Sequence, residues 1–279
     1  MGNGMTRRSF VKGAFGVTAW MTLGASAGYS YWESGDLEVH NLNVPIRGLP
    51  KGFEGMKIAF LTDFHRGGFI SQEYVQMSVM MALSLQPELI LLGGDFVDHD
   101  PQLIAPVMDA LGELRAPLGV YAVQGNRDIK ANRFLTSTEL ARQGIIEITN
   151  KGAWLDRDGS RLYLAGFDDA TIGQPDISAA LAGATPDCVT LALTHSPALV
   201  DRIRDPRIKL VCCGHTHGGQ INLPLIGRPI IPKGCEMYPV GLIPTLNGNV
   251  FVSAGVGVAY APVRFRCPPE VSLLTLVAA

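Results

Sequence analysis

The chain has 279 residues, of which 47% are hydrophobic and only 17% charged, and its formal net charge is −2. This composition excludes a disordered chain, which would be polar and highly charged, and a coiled coil, which needs heptads rich in charged residues. A nucleic-acid-binding surface is not expected, because no basic excess is available to neutralise phosphates.

The N-terminal segment has the composition of an export signal. Residues 1–27 contain three basic residues and no acid, and the run from Thr6 to Lys12, TRRSFVK, resembles a twin-arginine signal. The uncharged stretch over 13–32 that follows is only weakly apolar for a stable membrane span. We predict that residues 1–32 are a twin-arginine signal peptide or a membrane anchor. The twin-arginine translocation machinery would then export the protein to the periplasm or to the outer face of the inner membrane.

The remaining residues, 33–279, are predicted to form one domain in which strands and helices alternate. The helix over 71–86 has Val75, Val79 and Leu83 on one face. Further helices are predicted over 106–115 and 132–143, and strands over 56–62, 88–92, 119–123, 161–165, 189–194, 209–213 and 250–253. This alternation predicts an α/β fold, with more antiparallel strands toward the C-terminus, where Asn247-Gly248 predicts a tight hairpin turn.

Five of the predicted strands end in the same way, with a polar side chain soon after the apolar run. Because ligands bind at the carboxyl ends of the strands in α/β sheets, we expect these side chains to converge. The set is Asp63, His65, Asp95, Asn126, His195, His215 and His217. Gly94, Gly125 and Gly214 each precede a member of the set, which predicts sharp turns at these positions.

The donor atoms of this set predict a metal site. Imidazole, carboxylate and amide oxygen without thiolate suit Mn, Fe or Zn ions. Seven donors are too many for one tetrahedral ion, but they suffice for two divalent metal ions that share a bridging carboxylate. Two such ions can clamp the attacking and leaving oxygens of a phosphoryl group. We therefore predict a phosphate-containing small molecule or lipid as the substrate.

The motifs Asp63-x-His65, Gly94-Asp95, Gly125-Asn126, His195 and Gly214-His215-x-His217, in this order, resemble those of the calcineurin-like metallophosphoesterase superfamily. The export signal, GHTHGGQ over 214–220 and RFRCPPE over 264–270 resemble its YkuE/YaeI-like branch of twin-arginine-exported bacterial phosphodiesterases. The resemblance implies that residues 33–279 form a sandwich of two mixed β-sheets flanked by helices. It also implies one metal held by Asp63, His65 and His217, a second held by Asn126, His195 and His215, and Asp95 as the bridge between them.

Arg127 stands where most of the superfamily has a histidine that protonates the leaving group or contacts the phosphate. Arginine is a poor proton donor near neutral pH, but its rigid fork can hold a phosphate oxygen. The string Gly125-Asn126-Arg127-Asp128 also resembles the UDP-2,3-diacylglucosamine pyrophosphatases of the same superfamily. Pairing of Arg127 with Asp128 or another acid is the structural alternative.

The predicted function is that of a dinuclear metal-dependent phosphohydrolase. A metal-bound hydroxide would attack a phosphodiester or pyrophosphate bond, with Asp95 and Arg127 as catalytic residues, on a lipid or sugar-nucleotide-like substrate. Export argues against a nucleotide, which would be cytoplasmic, whereas a membrane anchor would reconcile lipid chemistry with either compartment. A phosphomonoesterase and a non-catalytic metal-binding scaffold are the alternatives.

Some residues near the motifs have weaker predictions. Asp98 either orients a ligand histidine or caps the following turn, and Asp128 is a further partner or substrate-contact candidate. Structural roles are expected for His40, in an edge strand, and for a turn at Asp168-Asp169. His99 is expected in a solvated loop. Arg264 and Arg266 are expected in surface or structural pairs.

Overall fold

The computed structural model describes residues 35–279, so the predicted export segment over 1–32 lies outside the described residues. The described chain contains two six-stranded β-sheets. In chain order the strands are β1 (Glu38–Ile46), β2 (Lys57–Leu61), β3 (Leu89–Leu92), β4 (Val120–Ala122), β5 (Ile146–Glu147), β6 (Lys151–Arg157), β7 (Ser160–Gly166), β8 (Thr190–Leu193), β9 (Ile208–Cys213), β10 (Gly241–Pro244), β11 (Asn249–Val252) and β12 (Glu270–Ala278). The first sheet has the order β1-β12-β2-β3-β4-β5 and the second β10-β11-β9-β8-β7-β6.

Four α-helices connect or flank these strands in the described chain: α1 (Gln72–Ser84), α2 (Ile104–Leu111), α3 (Asn126–Arg142) and α4 (Ile177–Leu181). Helix α1 begins at a capping serine, because the Ser71 hydroxyl accepts a hydrogen bond of 3.2 Å from the Tyr74 N–H. Helix α3 begins six residues before its predicted start, and the extended backbone of Asn132 interrupts it.

The core lies between the two sheets and beneath the helices. Ile58 and Leu89 of the first sheet belong to the same buried cluster as Leu191 and Leu210 of the second. Helices α1 and α2 cover the outer face of the first sheet, and α4 packs on the outer face of the second. This arrangement confirms the predicted sandwich of two mixed sheets flanked by helices.

Strand direction places the polar residues at one edge of the sandwich. β2, β3 and β4 are mutually parallel in the first sheet, and β7, β8, β9 and β11 are mutually parallel in the second. The segments that follow the carboxyl ends of β2, β3, β8 and β9 meet there. The Gly93 and Asp63 N–H groups, for example, donate to the Leu61 and Gly94 carbonyls.

Antiparallel pairing is more widespread than the sequence predicted. The β10–β11 hairpin turns at the expected Asn247-Gly248, with the Thr245 N–H donating to the Gly248 carbonyl. The hairpin of β6 and β7 in the middle of the chain was not predicted, nor was β12, which lies between β1 and β2 and is parallel to one and antiparallel to the other. Among residues 35–279, no helix is long and apolar enough to cross a membrane.

Candidate metal centre

The predicted metal residues converge into two neighbouring clusters. Asp63, His65 and His217 form one group of possible metal donors, and Asp95, His195 and His215 form the other. In the first group the Nε2 atoms of His65 and His217 are 2.9 Å apart, and His217 Nε2 lies 3.4 Å from Asp63 Oδ1. In the second, His195 Nε2 lies 3.1 Å from His215 Nδ1. Each cluster thus directs several donor atoms at a common point.

The Asp95 carboxylate lies between the two clusters. Its Oδ2 atom is 3.5 Å from His65 Nε2 in one group and 3.3 Å from His195 Nε2 in the other. Its Oδ1 atom accepts a hydrogen bond of 2.7 Å from the Arg127 backbone N–H, which fixes the orientation of the carboxylate. Asp95 is therefore in the position that a carboxylate shared by two ions would require.

Asp63 is oriented in the same manner. Its Oδ2 atom accepts hydrogen bonds of 2.8 Å from the Thr62 hydroxyl and from the His215 N–H. Its Oδ1 atom is buried and has no hydrogen-bond partner. Both carboxylates are therefore held through one oxygen while the other faces the histidines. Thr62 had not been predicted as part of the site, because a threonine at the end of a strand carries no distinctive signal.

The backbone at the site is unusual. Five of the predicted metal residues have positive φ angles between 48° and 71°, a region that non-glycine residues rarely adopt: Asp63, His65, Asp95, His215 and His217. Such conformations cost on the order of 1–3 kcal/mol each and persist only where the surroundings enforce them, which is common at functional sites. The turns that follow β2, β3 and β9 thus aim these side chains at the sheet edge.

The glycines before these residues act in two different ways. Gly94 alone of Gly94, Gly125 and Gly214 has a positive φ, +89°. Gly125 has an ordinary φ of −94°, but a Cβ atom there would overlap Asp95 Oδ1. The prediction of a sharp turn that requires glycine is therefore right for Gly94 and wrong for Gly125, which is needed for space beside the carboxylate.

Hydrogen bonding also fixes which nitrogen His195 presents. Its Nδ1 lies 2.8 Å from the Gly93 carbonyl oxygen. A carbonyl can only accept, so Nδ1 carries a proton, and Nε2 is the nitrogen that faces Asp95 and His215. Nε2 is therefore the nitrogen of His195 that a metal ion would bind in place of a proton.

The ionisable groups of the two clusters share protons. Burial alone would lower the pKa of His65, but the surrounding carboxylates, Asp63 first, raise it to about 9. Burial lowers the pKa of His217 to about 3. In the second cluster burial lowers the pKa of His215, whereas Asp95 overcomes burial and raises that of His195. Each close pair of imidazoles therefore contains one protonated and one neutral ring, with the positive charge between nitrogens that could bind a cation.

The residues present fit two divalent cations. Buried oxygens without partners, Asp63 Oδ1 and Asn126 Oδ1, lie in a centre that otherwise consists of imidazole nitrogens and carboxylates. Leaving a buried polar atom unpaired costs about 1–3 kcal/mol, so these two atoms call for a ligand. Asn126 also lines one cavity together with His65, Asp95, His215 and His217. All seven predicted donors are thus in one centre, although their assignment to individual ions stays a prediction.

Comparison with known proteins identifies the family. A family model described as calcineurin-like phosphoesterase matches residues 56–219, more than half of the chain. The chain is also 30% identical over 279 residues to the uncharacterized metallophosphoesterase YkuE of Bacillus subtilis (strain 168), with 98% of both chains covered. It is 32% identical to the phosphodiesterase YaeI of Escherichia coli (strain K12), over 79% of this chain and 82% of that one.

The chain belongs to the calcineurin-like phosphoesterase family. This confirms the family predicted from the motifs and, with it, a metal-dependent phosphoester hydrolase. The family is dinuclear, in agreement with the two clusters of possible metal donors. Among solved structures, the Thermus thermophilus sulfate thiohydrolase SoxB superposes with a TM-score of 0.51 at 11% identity, over 82% of this chain and 57% of that one. That likeness supports the fold alone.

Arg127 of this phosphoesterase lies at the edge of the cavity and pairs loosely with another acid, Asp98, and not with Asp128. Its guanidinium is 3.5 Å from Asp98 Oδ1 and 5.3 Å from the centre of the Tyr260 ring. The side chain is 20% exposed and lines the same cavity as the metal centre. One loose ion pair leaves several of its N–H donors available to an anion. Tyr260 had not been predicted, since nothing near it in the sequence resembles a motif.

Asp98 and Asp128 support the centre from outside. Asp98 Oδ1 is 3.7 Å from His65 Nδ1, beyond hydrogen-bond distance, while Asp98 Oδ2 contacts His99 Nδ1 at 2.7 Å. His65 first, and then Arg127, lowers the pKa of Asp98 to about 2, so it is a carboxylate at neutral pH. The buried Asp128 accepts hydrogen bonds of 2.7–2.9 Å from the backbone N–H groups of Asp95, Phe96 and Gly125. Asp128 thereby fixes the turn that carries Asp95, and it does not line the cavity.

The other singled-out residues have structural roles. His40 lies in the edge strand β1 and pairs with Glu270 at 3.2 Å, and His99 is exposed. Asp168 pairs with Arg133 at 2.9 Å in the turn expected there. Arg264 is fully buried and donates to backbone carbonyls, including those of Ala254 and Cys267, so of the two expected roles it has the structural one and not a surface position. Within residues 35–279, Cys188, Cys212, Cys213 and Cys235 form no disulfide.

A cavity of about 300 Å³ opens on the metal centre. One side consists of the polar residues described above. The other is largely apolar and had not been predicted: Ile221, Ile230, Ile231, Pro232, Ala259 and Val263. These residues come from the loops after the GHTHGGQ motif and after β11, which show no regular hydrophobic period.

Proposed function

We propose that this phosphoesterase is a dinuclear metal-dependent hydrolase that cleaves a phosphodiester or pyrophosphate bond. The observation that carries the proposal is the position of Asp95 Oδ2, within 3.5 Å of a histidine of each donor cluster. Asp63, His65 and His217 would hold one ion, Asn126, His195 and His215 the other, and Asp95 both. When bound, two divalent ions supply Lewis acidity that activates water and neutralises charge on phosphoryl oxygens.

The residues of the chain itself would position the substrate. Arg127 would hold a phosphoryl oxygen and oppose the negative charge that develops in the transition state. Because arginine does not donate its proton at neutral pH, a leaving group that needs no proton suits it better than an alkoxide. A phosphoanhydride has such a leaving group, which favours a pyrophosphate substrate among those considered.

The apolar side of the cavity supports a substrate with an apolar portion. A wall that includes Ile221, Ile230 and Pro232 cannot satisfy the polar groups of a highly hydroxylated ligand, but it can bury acyl or alkyl carbons. We therefore propose a lipid-like phosphate substrate whose acyl or alkyl carbons lie against this wall; a sugar nucleotide of the UDP-2,3-diacylglucosamine type would require an anchored domain that faces the cytoplasm. The relative YaeI is named a phosphodiesterase, which supports a phosphodiester as the bond that is cleaved.

The proposed location follows from the N-terminal sequence. A run such as TRRSFVK ahead of an uncharged stretch is typical of twin-arginine substrates. We propose export by the twin-arginine translocation machinery to the periplasm or to the outer face of the inner membrane. Protease protection of the full chain in intact cells, and its loss after the outer membrane is opened, tests this location.

A substrate panel combined with metal analysis tests the function. Purified protein is assayed on matched phosphomonoester, phosphodiester and pyrophosphate substrates, and its metal content is measured by mass spectrometry. The proposal predicts about two divalent ions per chain and faster turnover of diester or pyrophosphate than of monoester. Faster turnover of the monoester would establish a phosphomonoesterase, and bound metal without turnover would establish a non-catalytic scaffold.

A further inference from the structure

A tight hairpin beside the metal centre exposes apolar side chains at its tip. Leu223 and Gly227 exchange two backbone hydrogen bonds of 2.7 and 2.8 Å, which close the hairpin. At its tip Leu225 is fully exposed and Ile226 is 72% exposed. Leu225 also adopts a positive φ of 68°, which is unfavourable for a branched side chain. Two large aliphatic side chains are thus presented to solvent on a short, closed loop.

The hairpin is fixed to the site. The Asn222 N–H donates to the Phe265 carbonyl at 2.8 Å, and the Arg228 guanidinium donates to the carbonyl of Gly218, the residue after His217. Ile221 before the hairpin and Ile230 after it line the metal cavity. The apolar tip therefore continues the apolar wall of the cavity out to the protein surface.

The surroundings of the hairpin differ in charge from the rest of the protein. Between Gly218 and Pro268 the sequence has four basic residues and a single acid, Glu236. One of the four, Arg264, is buried, and Arg228 and Lys233 follow Ile226 at the tip by two and seven residues. Outside residues 1–27 the chain as a whole has 20 basic and 25 acidic residues, so the apolar tip lies in a locally basic segment of an acidic protein.

We infer that this hairpin is a membrane contact, whose tip enters the interface of an anionic lipid bilayer and holds the mouth of the cavity at the headgroups. A convex tip of two side chains offers far less than the roughly 1,200 Å² that a stable protein–protein interface buries, so a second protein fits it poorly. A bilayer needs no complementary groove: the aliphatic tip enters the acyl boundary while neighbouring basic side chains meet anionic headgroups. This role of the hairpin is separate from the proposed hydrolysis, because it assigns a partner to a region outside the metal centre.

The insertion is measured with a tryptophan at the tip of the full-length chain. Ile226→Trp is compared with Leu246→Trp. Leu246 is also fully exposed at a hairpin turn but lies at the opposite end of β11 from the metal centre. Each variant is mixed with vesicles of phosphatidylcholine and phosphatidylglycerol that carry bromine on their acyl chains, and the signal of the three native tryptophans is subtracted using the wild type. Loss of the added fluorescence at position 226, with none at position 246, is the expected result.

A charge at the tip provides the second readout. Leu225→Glu should lower vesicle binding on the order of tenfold relative to Leu246→Glu, because an aliphatic side chain no longer leaves water. Turnover of a soluble phosphodiester should be unchanged, since Leu225 is not part of the cavity wall. Equal vesicle binding by the two variants, or no quenching at position 226, would overturn the inference. A tip-dependent dimer in lipid-free sedimentation would replace the bilayer by a second copy.

The inference can fail separately from the proposed function. Asp95→Asn should abolish hydrolysis and leave quenching of the tryptophan at position 226 unchanged. A wild-type protein that hydrolyses no phosphate substrate, but whose Ile226→Trp variant is quenched, would refute the proposed function and leave the membrane contact standing.

Discussion

Replacement of Arg127 separates a role in phosphate binding from a role in stability. The guanidinium has one loose ion pair with Asp98 at 3.5 Å, in which the two side chains are 20% and 32% exposed. Partly exposed pairs of this kind contribute at most about 1 kcal/mol to folding. A donor aimed at charge in the transition state is worth about 2.7–4 kcal/mol. We therefore expect Arg127→Ala to lower kcat/KM about 10²- to 10³-fold with little change in Tm.

The assay compares Arg127→Ala with a matched control, Arg161→Ala. Arg161 also has a carboxylate partner, Asp156 at 2.7 Å, and lies 4.6 Å above the centre of an aromatic ring, that of Trp154. It lies on β7, away from the cavity. Turnover of a phosphodiester and of a pyrophosphate is measured for both variants, together with thermal unfolding. The control should keep wild-type turnover.

Arg127→His provides the test of the leaving group. A histidine can donate a proton near neutral pH, so the variant should gain activity on esters with poor leaving groups relative to the pyrophosphate. Wild-type kcat/KM in Arg127→Ala would refute the reasoning about binding, and an unchanged substrate ratio in Arg127→His would refute the reasoning about the leaving group.

Three further predictions concern protons and packing. Because each imidazole pair shares a proton that a cation must displace, metal uptake should release protons and metal affinity should fall as pH decreases. Calorimetry in buffers of different ionisation enthalpy measures the number of protons released. Metal uptake without proton release would contradict this prediction. Glu270 raises the pKa of His40 above its ordinary 6.5. The stabilisation of the fold by the His40–Glu270 pair is therefore complete below pH 6.5 and is lost as pH rises through the pKa of His40 in the folded protein. Burial acts to raise the pKa of Glu270, but His40 outweighs burial and lowers this pKa below its ordinary 4.5. The stabilisation that Glu270 contributes is therefore present above pH 4.5. His40→Gln should therefore cost more stability at pH 5.5 than at pH 8 in urea unfolding, and an equal cost at both would contradict the pairing. Gly125→Ala should displace Asp95 and lower metal content, whereas Gly68→Ala, where a Cβ meets nothing and φ is not positive, should not; equal metal content in the two variants would argue against the close approach.

The sequence was sufficient to predict the metal donors, because the ends of buried strands can be recognised in it. Apolar runs such as 88–92 mark buried strands, and in parallel sheets the polar residues after them converge whatever the details of packing. Seven donors could thus be named, and the structure brings all seven into one centre. Asp128 could be suspected only as a neighbour, since its backbone contacts depend on how two turns pack.

Other parts of the molecule depend on tertiary contacts without a local pattern. Strand β12 is inserted between β1 and β2, which lie far from it in sequence, so periodicity could not place it. From the sequence alone, Arg264 resembles a surface residue. It is buried because backbone carbonyls of residues 254–268 surround its guanidinium in the folded protein. The apolar wall and the hairpin tip at Leu225 lie in loops, where hydrophobic residues have no period to indicate which side they face.

The two-ion centre is tested most directly at Asp95. Asp95→Asn keeps the size of the side chain and an oxygen that can accept from the Arg127 N–H, but it removes the charge between the two donor clusters. Metal content and hydrolysis of a generic phosphodiester are measured on the same purified variant, with circular dichroism as the control for folding. We expect a folded protein that has lost hydrolysis and at least part of its metal. Turnover like that of the wild type in this variant would contradict it.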